Sequence, residues 1–184
     1  MAARLVALAC AGWCAVAMGC SSSGGADHPQ SSVTAPTSIT VTSPDFADGA
    51  AIPKRFTCDG ANVSPALHWS DVPAGAGAVA LVVDDPDAPG GTFTHWVVVN
   101  IDPSTTSIDE GAAPADGQQA PNSDGKSSWF GPCPPSGTHH YRFTVYALAH
   151  RVENSAIASL DAALSAIAAD AIAQGRLVGV YRRN

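Results

Sequence analysis

Residues 79–101 read VALVVDDPDAPGGTFTHWVVVNI. Two apolar runs, 79–83 and 96–101, flank a turn rich in proline and glycine, and each run is too short to cross a membrane. β-Branched runs of this length, bounded by such residues, predict two buried strands joined by a loop. Asp84, Asp85 and Asp87 are thereby placed at the lip of a sheet, with His95 where the second strand begins. Pro86 and Pro89 fix their own φ angles and stiffen the connection.

A second dense stretch lies downstream, WFGPCPPSGTHHYRFTVYAL at 129–148. Its proline-rich start predicts another stiff loop, and 140–148 a strand. By alternation His139, Tyr141, Phe143 and Val145 share one face, and His140, Arg142, Thr144 and Tyr146 the other. Upstream, SITVTS at 38–43 alternates like a half-buried first or edge strand, and short strands are expected near 51–53 and 66–69. GAGAVA at 75–80 resembles a dinucleotide-binding glycine loop only superficially, because it precedes a strand and opens no helix; it is read as a turn. Residues 102–128 show no sustained period and form a long excursion able to cover a site. One helix is predicted, capped by Ser159, with Asp161 in its first turn and Leu160, Leu164, Ile167, Ala171 and Ile172 along one face. Gly175 is expected to end it, and 177–181 to return as a strand.

The chain has 184 residues, enough for one domain with a sizeable core, and a formal net charge of -7. Acidic balance without clustered Lys and Arg excludes a nucleic-acid footprint, so an anionic ligand has to be captured by a local site. Residues 1–19, with Arg4 ahead of an apolar run and small residues before Cys20, read as an export signal. Ala17-Met18-Gly19-Cys20 is similar to the cleavage box of bacterial lipoproteins, in which the cysteine is lipidated, commonly with palmitate; plain secretion is the alternative. Residues 20–37 are rich in Ser, Gly and Pro and predict a flexible tether, leaving 38–184 as the folded domain. The expected location is the extracytoplasmic side of a cell membrane, contacted only through the N-terminal lipid. Once the signal is removed and Cys20 acylated, Cys58 and Cys133 remain. An oxidising compartment invites a disulfide between them; two small buried hydrophobes are the alternative.

DPDAP followed by HWVVVNI, and then GPCPPSGTHHYRFTVYAL, resemble the two ligand-site motifs of the phosphatidylethanolamine-binding protein family, also called the Raf kinase inhibitor protein family. IPKRFTCDGANVSPALHW and AQGRLVGVYRR are similar to its bacterial branch. The resemblance covers about residues 39–183. It implies a mainly β fold, a β-sandwich around a large central antiparallel sheet, with short helices including one near the C-terminus. It also implies a small pocket at the sheet end for phosphate-like or phospholipid head-group ligands. Carried over by motif, the ligand-binding residues are Asp85, Asp87, Pro89, His95, Gly131, Pro134, His139 and Tyr141. Two positions depart from the pattern: Phe93 stands where vertebrate members carry tryptophan, and His140 where arginine is usual.

Imidazoles, the Tyr141 hydroxyl and loop N–H groups can donate to phosphate oxygens. Carboxylates cannot simply face an anion, so Asp85 and Asp87 are expected to orient His95 or His139, or to accept from a ligand ammonium. The expected function is therefore extracytoplasmic capture of a small anion such as phosphate or phosphoethanolamine, with no cofactor and no catalytic or metal role. Two rivals are weighed. Two His and two Asp could ligate zinc or serve a metal-dependent or acid-base hydrolase, although Gly-x-Ser-x-Gly and His-Glu-x-x-His motifs are absent. An inhibitor or interaction role toward an envelope protease or other partner is the third.

Overall fold

The computed structural model describes residues 35, 36 and 38–183. The expected export signal and Cys20 lie outside the described residues, as does most of the tether. Ala35 and Pro36, within the stretch expected to be a tether, are bound to the domain: Ala35 O accepts from the Gln174 side chain and Pro36 O from the Gln174 backbone N–H.

Among the described residues, eight strands and one α-helix follow in order: β1 (Thr40–Thr42), β2 (Leu67–Ser70), β3 (Ala78–Asp85), β4 (Phe93–Ile101), β5 (Ser107–Ile108), β6 (Gln118–Ala120), β7 (Gly137–Leu148), α1 (Leu160–Asp170) and β8 (Ala171–Arg183). They form two antiparallel sheets, a three-stranded one in the order β1-β2-β5 and a five-stranded one in the order β6-β4-β3-β7-β8. The mainly β, two-sheet architecture is as expected, as are the short helices: one-turn 3-10 helices at Lys54–Phe56 and Ala156–Ala158, and α1 near the C-terminus.

The large sheet is covered on both faces, which explains why β3 and the middle of β4 read as continuous apolar runs. Val79, Leu81 and Val83 face the small sheet with Tyr141 and Phe143, meeting Val41, Leu67 and Trp69. Ala78, Ala80 and Val82 turn to the opposite face with Val97 and Val99, beneath Ala163 and Ile167 of α1. The predicted faces of β7 separate in the same way, with Tyr141, Phe143 and Val145 in the first core and Tyr146 in the second.

Two irregularities in β4 shape this framework. At Asn100 (φ 63°) the register with β3 shifts, so Val98 and Ile101 both reach the first core. Asn100 holds the bulge by donating to Val152 O at 2.9 Å and accepting from Val152 N at 2.7 Å. The second shift, between Val83 and Asp84 on β3, lies opposite His95 and places an extra β4 residue there. His95 packs against Tyr141, while its neighbour Trp96 meets Trp129, which stacks on Phe143. A bulge re-aims adjacent side chains in this way.

The helix begins as expected, with Ser159 Oγ accepting from Ala162 N at 3.3 Å. It stops earlier than predicted, at Asp170. Ala171 already pairs with Leu148, so Ala171 and Ile172 belong to β8 and not to the helical face. Gly175 is not a helix terminator but a mid-strand residue opposite Val145. A Cβ there would lie 1.9 Å from Ile39 O, and one at Gly179 2.5 Å from Ile52 Cγ1. These glycines let neighbouring segments cross β8 closely. Its free edge is thereby closed: Ile39 N donates to Gln174 O, Gly49 N to Val178 O and Ile52 N to Val180 O. The strand expected near 51–53 is reduced to one bridge, Ala51 to Val180. The excursion at 102–128, expected without regular structure, contributes the two short strands β5 and β6.

Candidate functional site

The strand ends deliver their polar residues to one place. Asp85 closes β3, His95 lies near the start of β4, and His139 near the start of β7. All three are nearly buried, at 3%, 3% and 7% exposure. They line a cavity of about 140 Å³ whose remaining walls are apolar, chiefly Pro89, Phe93, Phe130 and Pro134, with Ala88, Cys133 and Pro135.

Each imidazole is fixed through the same ring atom. Nδ1 of His139 lies 2.7 Å from Asp85 Oδ2, and Nδ1 of His95 lies 2.7 Å from Phe130 O. The Phe130 carbonyl can only accept, so the His95 proton sits on Nδ1. Burial, opposed by that hydrogen bond and by the Asp85 and Asp84 carboxylates, pushes the His95 imidazole below its usual value, so the ring is held neutral. Asp85 is committed as well, since its Oδ1 accepts from Asp87 N at 2.8 Å.

The Phe130 segment is built against β4. Phe130 N donates to His95 O, and Asn122 Nδ2 donates to His95 O and Ser128 O. Asn122, 2% exposed, also accepts from Asp124 N and Lys126 N and so folds its own loop under the pocket wall. Cys133, which lines the cavity, is joined to Cys58 in a disulfide with Cα atoms 5.4 Å apart.

Asp85, Pro89, His95, Pro134 and His139 come together at the cavity. The other three expected residues lie beside or behind it. Asp87 Oδ2 is bound by His140 N at 2.8 Å and His140 Nδ1 at 2.7 Å, and these bonds hold its carboxyl below the usual range. Gly131 has a packing role: its N–H donates to Asn62 Oδ1, and a Cβ would lie 2.5 Å from Phe56 O. Tyr141 is fully buried, its ring 5.2 Å from that of His95. Its hydroxyl has no well-formed hydrogen bond among the described residues. Burial first, and then the Asp85 carboxylate, push its ionisation far above the ordinary tyrosine range.

Loop N–H donors, expected as anion ligands, are scarce. Pro89, Pro132, Pro134 and Pro135 have none, and those of Asp87, Phe130 and Gly131 are spent on Asp85, His95 and Asn62. Phe130, Asn122 and Pro135 were not singled out in the sequence. Pro135 lies within the second motif and Phe130 immediately before it, whereas Asn122 gives no signal beyond its Asn-Ser-Asp-Gly turn. Phe93 takes the rim position, its ring 4.9 Å from His95 and 5.7 Å from Phe130. Among the described residues no group of three or more His, Cys, Asp or Glu is arranged to hold a metal ion, and no helix is long and apolar enough to cross a membrane.

A two-sheet β domain with a small carboxylate–imidazole pocket at the end of its large sheet defines a class of ligand-binding fold. Within that class the chain belongs to the phosphatidylethanolamine-binding protein family, whose model matches residues 42–182. It is 52% identical over 145 residues to the Mycobacterium tuberculosis protein named "Putative lipoprotein LppC", covering 78% of this chain and 72% of that one. Two crystal structures are similar. The phosphatidylethanolamine-binding protein homologue of Chlamydia trachomatis matches with a TM-score of 0.74 at 34% identity, covering 80% of this chain and 99% of that one. YbcL of E. coli, described as a member of the mammalian family, matches with a TM-score of 0.75 at 32% identity, covering 80% and 100%.

Proposed function

We propose that the chain is an exported binding protein, anchored to a membrane by a lipid on Cys20 and a tether over residues 20–37. Its pocket captures a small oxyanion of the kind carried by phospholipid head groups. The observation that carries this reading is the convergence of His95 and His139, both fixed through Nδ1, on one cavity of about 140 Å³. A cavity of that size holds a head-group fragment but not a whole lipid. The apolar rim of Pro89, Phe93 and Phe130 suits the carbon chain of such a fragment. The lipoprotein name of the mycobacterial relative supports the anchor.

In this reading Pro89, His95, Pro134 and His139 contact the ligand, while Asp85, at the same cavity, holds His139. Asp87, Gly131 and Tyr141 support the walls. The test is thermal unfolding of the domain with and without O-phosphoethanolamine or inorganic phosphate. Ligand raises the melting temperature of the parent, and His139→Ala abolishes the rise; an unchanged melting temperature in the parent refutes the reading. The anchor is tested separately by Cys20→Ala, which moves the full-length protein from the detergent phase to the aqueous phase.

A further inference from the structure

We propose that Arg183 is a ligand-binding residue: its guanidinium supplies the fixed positive charge of the pocket and makes the site prefer a phosphate monoester, with two negative charges, to a diester with one. This rests on the anion-binding reading above and deepens it by naming the ligand class.

The end of β8 delivers the group. Tyr181 pairs with His139 and Arg183 with Gly137, so by alternation the side chains of Tyr181 and Arg183 rise on the face that carries His139. Gly137 offers no side chain across the ladder, and even a Cβ there would meet nothing within 4 Å. The guanidinium therefore has open space at this end of the sheet. It reaches Cys133, a residue that lines the cavity, with Nη1 3.5 Å from Sγ. Among the described residues no other Lys or Arg side chain is bonded to a residue of the cavity wall. Arg142, the next cation along β7, lies on the other face and is held by both oxygens of Asp84.

Asp59 aims the guanidinium. Its Oδ1 lies 3.2 Å from Arg183 Nη2, its Oδ2 accepts from the Tyr181 hydroxyl at 2.8 Å, and its neighbour Cys58 is bonded to Cys133. An ion pair whose arginine is 43% exposed adds little to stability. What it fixes is direction. A planar group with five N–H donors stands at the pocket's edge, and its contacts to Asp59 and the sulfur leave donors for a phosphate oxygen. Charge decides what such a group discriminates. A neutral donor, such as the N–H of Ala88 or Cys133 at the cavity wall, meets one oxygen, whereas a guanidinium is attracted by the whole charge of the phosphate.

Isothermal titration of the full-length protein at about pH 8 tests this with two ligands that share an ammonium arm. O-Phosphoethanolamine is a monoester whose phosphate is then a dianion, and glycerophosphoethanolamine is the corresponding diester. The parent is expected to bind the monoester about tenfold more tightly, and Arg183→Gln to lose most of that preference. Asp59→Asn keeps an acceptor for the guanidinium and removes a negative charge, so it is expected to bind the monoester more tightly than the parent does. A pair that merely braces the chain end predicts instead that both substitutions weaken binding. That result overturns the proposal, as does a preference unchanged in Arg183→Gln, and either leaves the pocket reading standing. The parent's preference should also shrink as salt rises from about 20 to 500 mM. A preference indifferent to salt overturns the proposal even where Arg183→Gln does not fold. No binding of either ligand overturns both the proposal and the pocket reading. Within a supporting result, inorganic phosphate bound as tightly as the monoester identifies a free anion as the source of the charge, and weaker binding identifies a head-group monoester.

Discussion

Nδ1 of His139 lies 2.7 Å from Oδ2 of Asp85, a contact made across 54 residues of chain and almost closed to solvent. Asp85→Ala leaves the His139 Nδ1–H buried and unpaired, at a cost of about 1–3 kcal/mol. Urea unfolding is expected to show that loss, and calorimetry the loss of phosphate binding. Undiminished binding would show that Asp85 does not orient the imidazole.

The disulfide ties the pocket wall at Cys133 to the loop at Cys58, closing a segment of 75 residues. Its removal by Cys58→Ser with Cys133→Ser is expected to cost roughly 2–5 kcal/mol in urea unfolding. Reductant should reproduce the loss in the parent and change nothing in the double variant. Because Cys133 lines the cavity, ligand affinity should fall as well.

Acid should weaken the fold through His95. Its native proton affinity is depressed by burial, so the unfolded chain binds more protons once the pH drops below the ordinary imidazole value of about 6.5. The stabilisation is complete above that pH and is lost as the pH falls through the native value. His95→Asn keeps a donor for Phe130 O and removes the titration. It should flatten the slope of melting temperature against pH just below about 6.5, with carboxylates governing the more acidic range.

Gly175→Ala places a Cβ 1.9 Å from Ile39 O, a backbone atom held by the Ile39 N–H to Gln174 O bond. The clash can be relieved only by moving the segment that closes the β8 edge, and a loss above about 2 kcal/mol is expected. Gly75→Ala, where a Cβ meets nothing within 4 Å, is the control and should stay within about 0.5 kcal/mol.

Tyr141→Phe removes a buried hydroxyl that lacks a well-formed hydrogen bond. Stability should be unchanged or slightly higher, since no desolvated group is orphaned by the change. A loss of more than about 1.5 kcal/mol in urea unfolding would reveal a hydrogen bond through that oxygen.

Much of the fold was legible because its signals are local. The apolar runs around Asp84 to Phe93 and the alternation from His139 to Tyr146 report burial directly, and the cap at Ser159 reports a helix start. The end of that helix was not legible. Alanine-rich sequence tolerates either helix or strand, and only the ladder of β7 decided that Ala171 and Ile172 extend as β8. Gly175 carried the same ambiguity, because a helix stop and a close backbone crossing ask for the same residue. The short strands β5 and β6 draw their regularity from partners in β2 and β4, so residues 102–128 show no period of their own.

By itself the sequence determined the two stiff loops, the residue types they carry and the strands that end at them, since proline and β-branched residues act within a few bonds of themselves. Only the tertiary structure decided which of those residues meet. Strand register brings Asp85 to His139 while Asp87 goes to His140, and a one-residue shift in β4 packs His95 and Trp96 into the same core. Such choices depend on contacts between segments dozens of residues apart, and no local pattern encodes which partner a side chain will find.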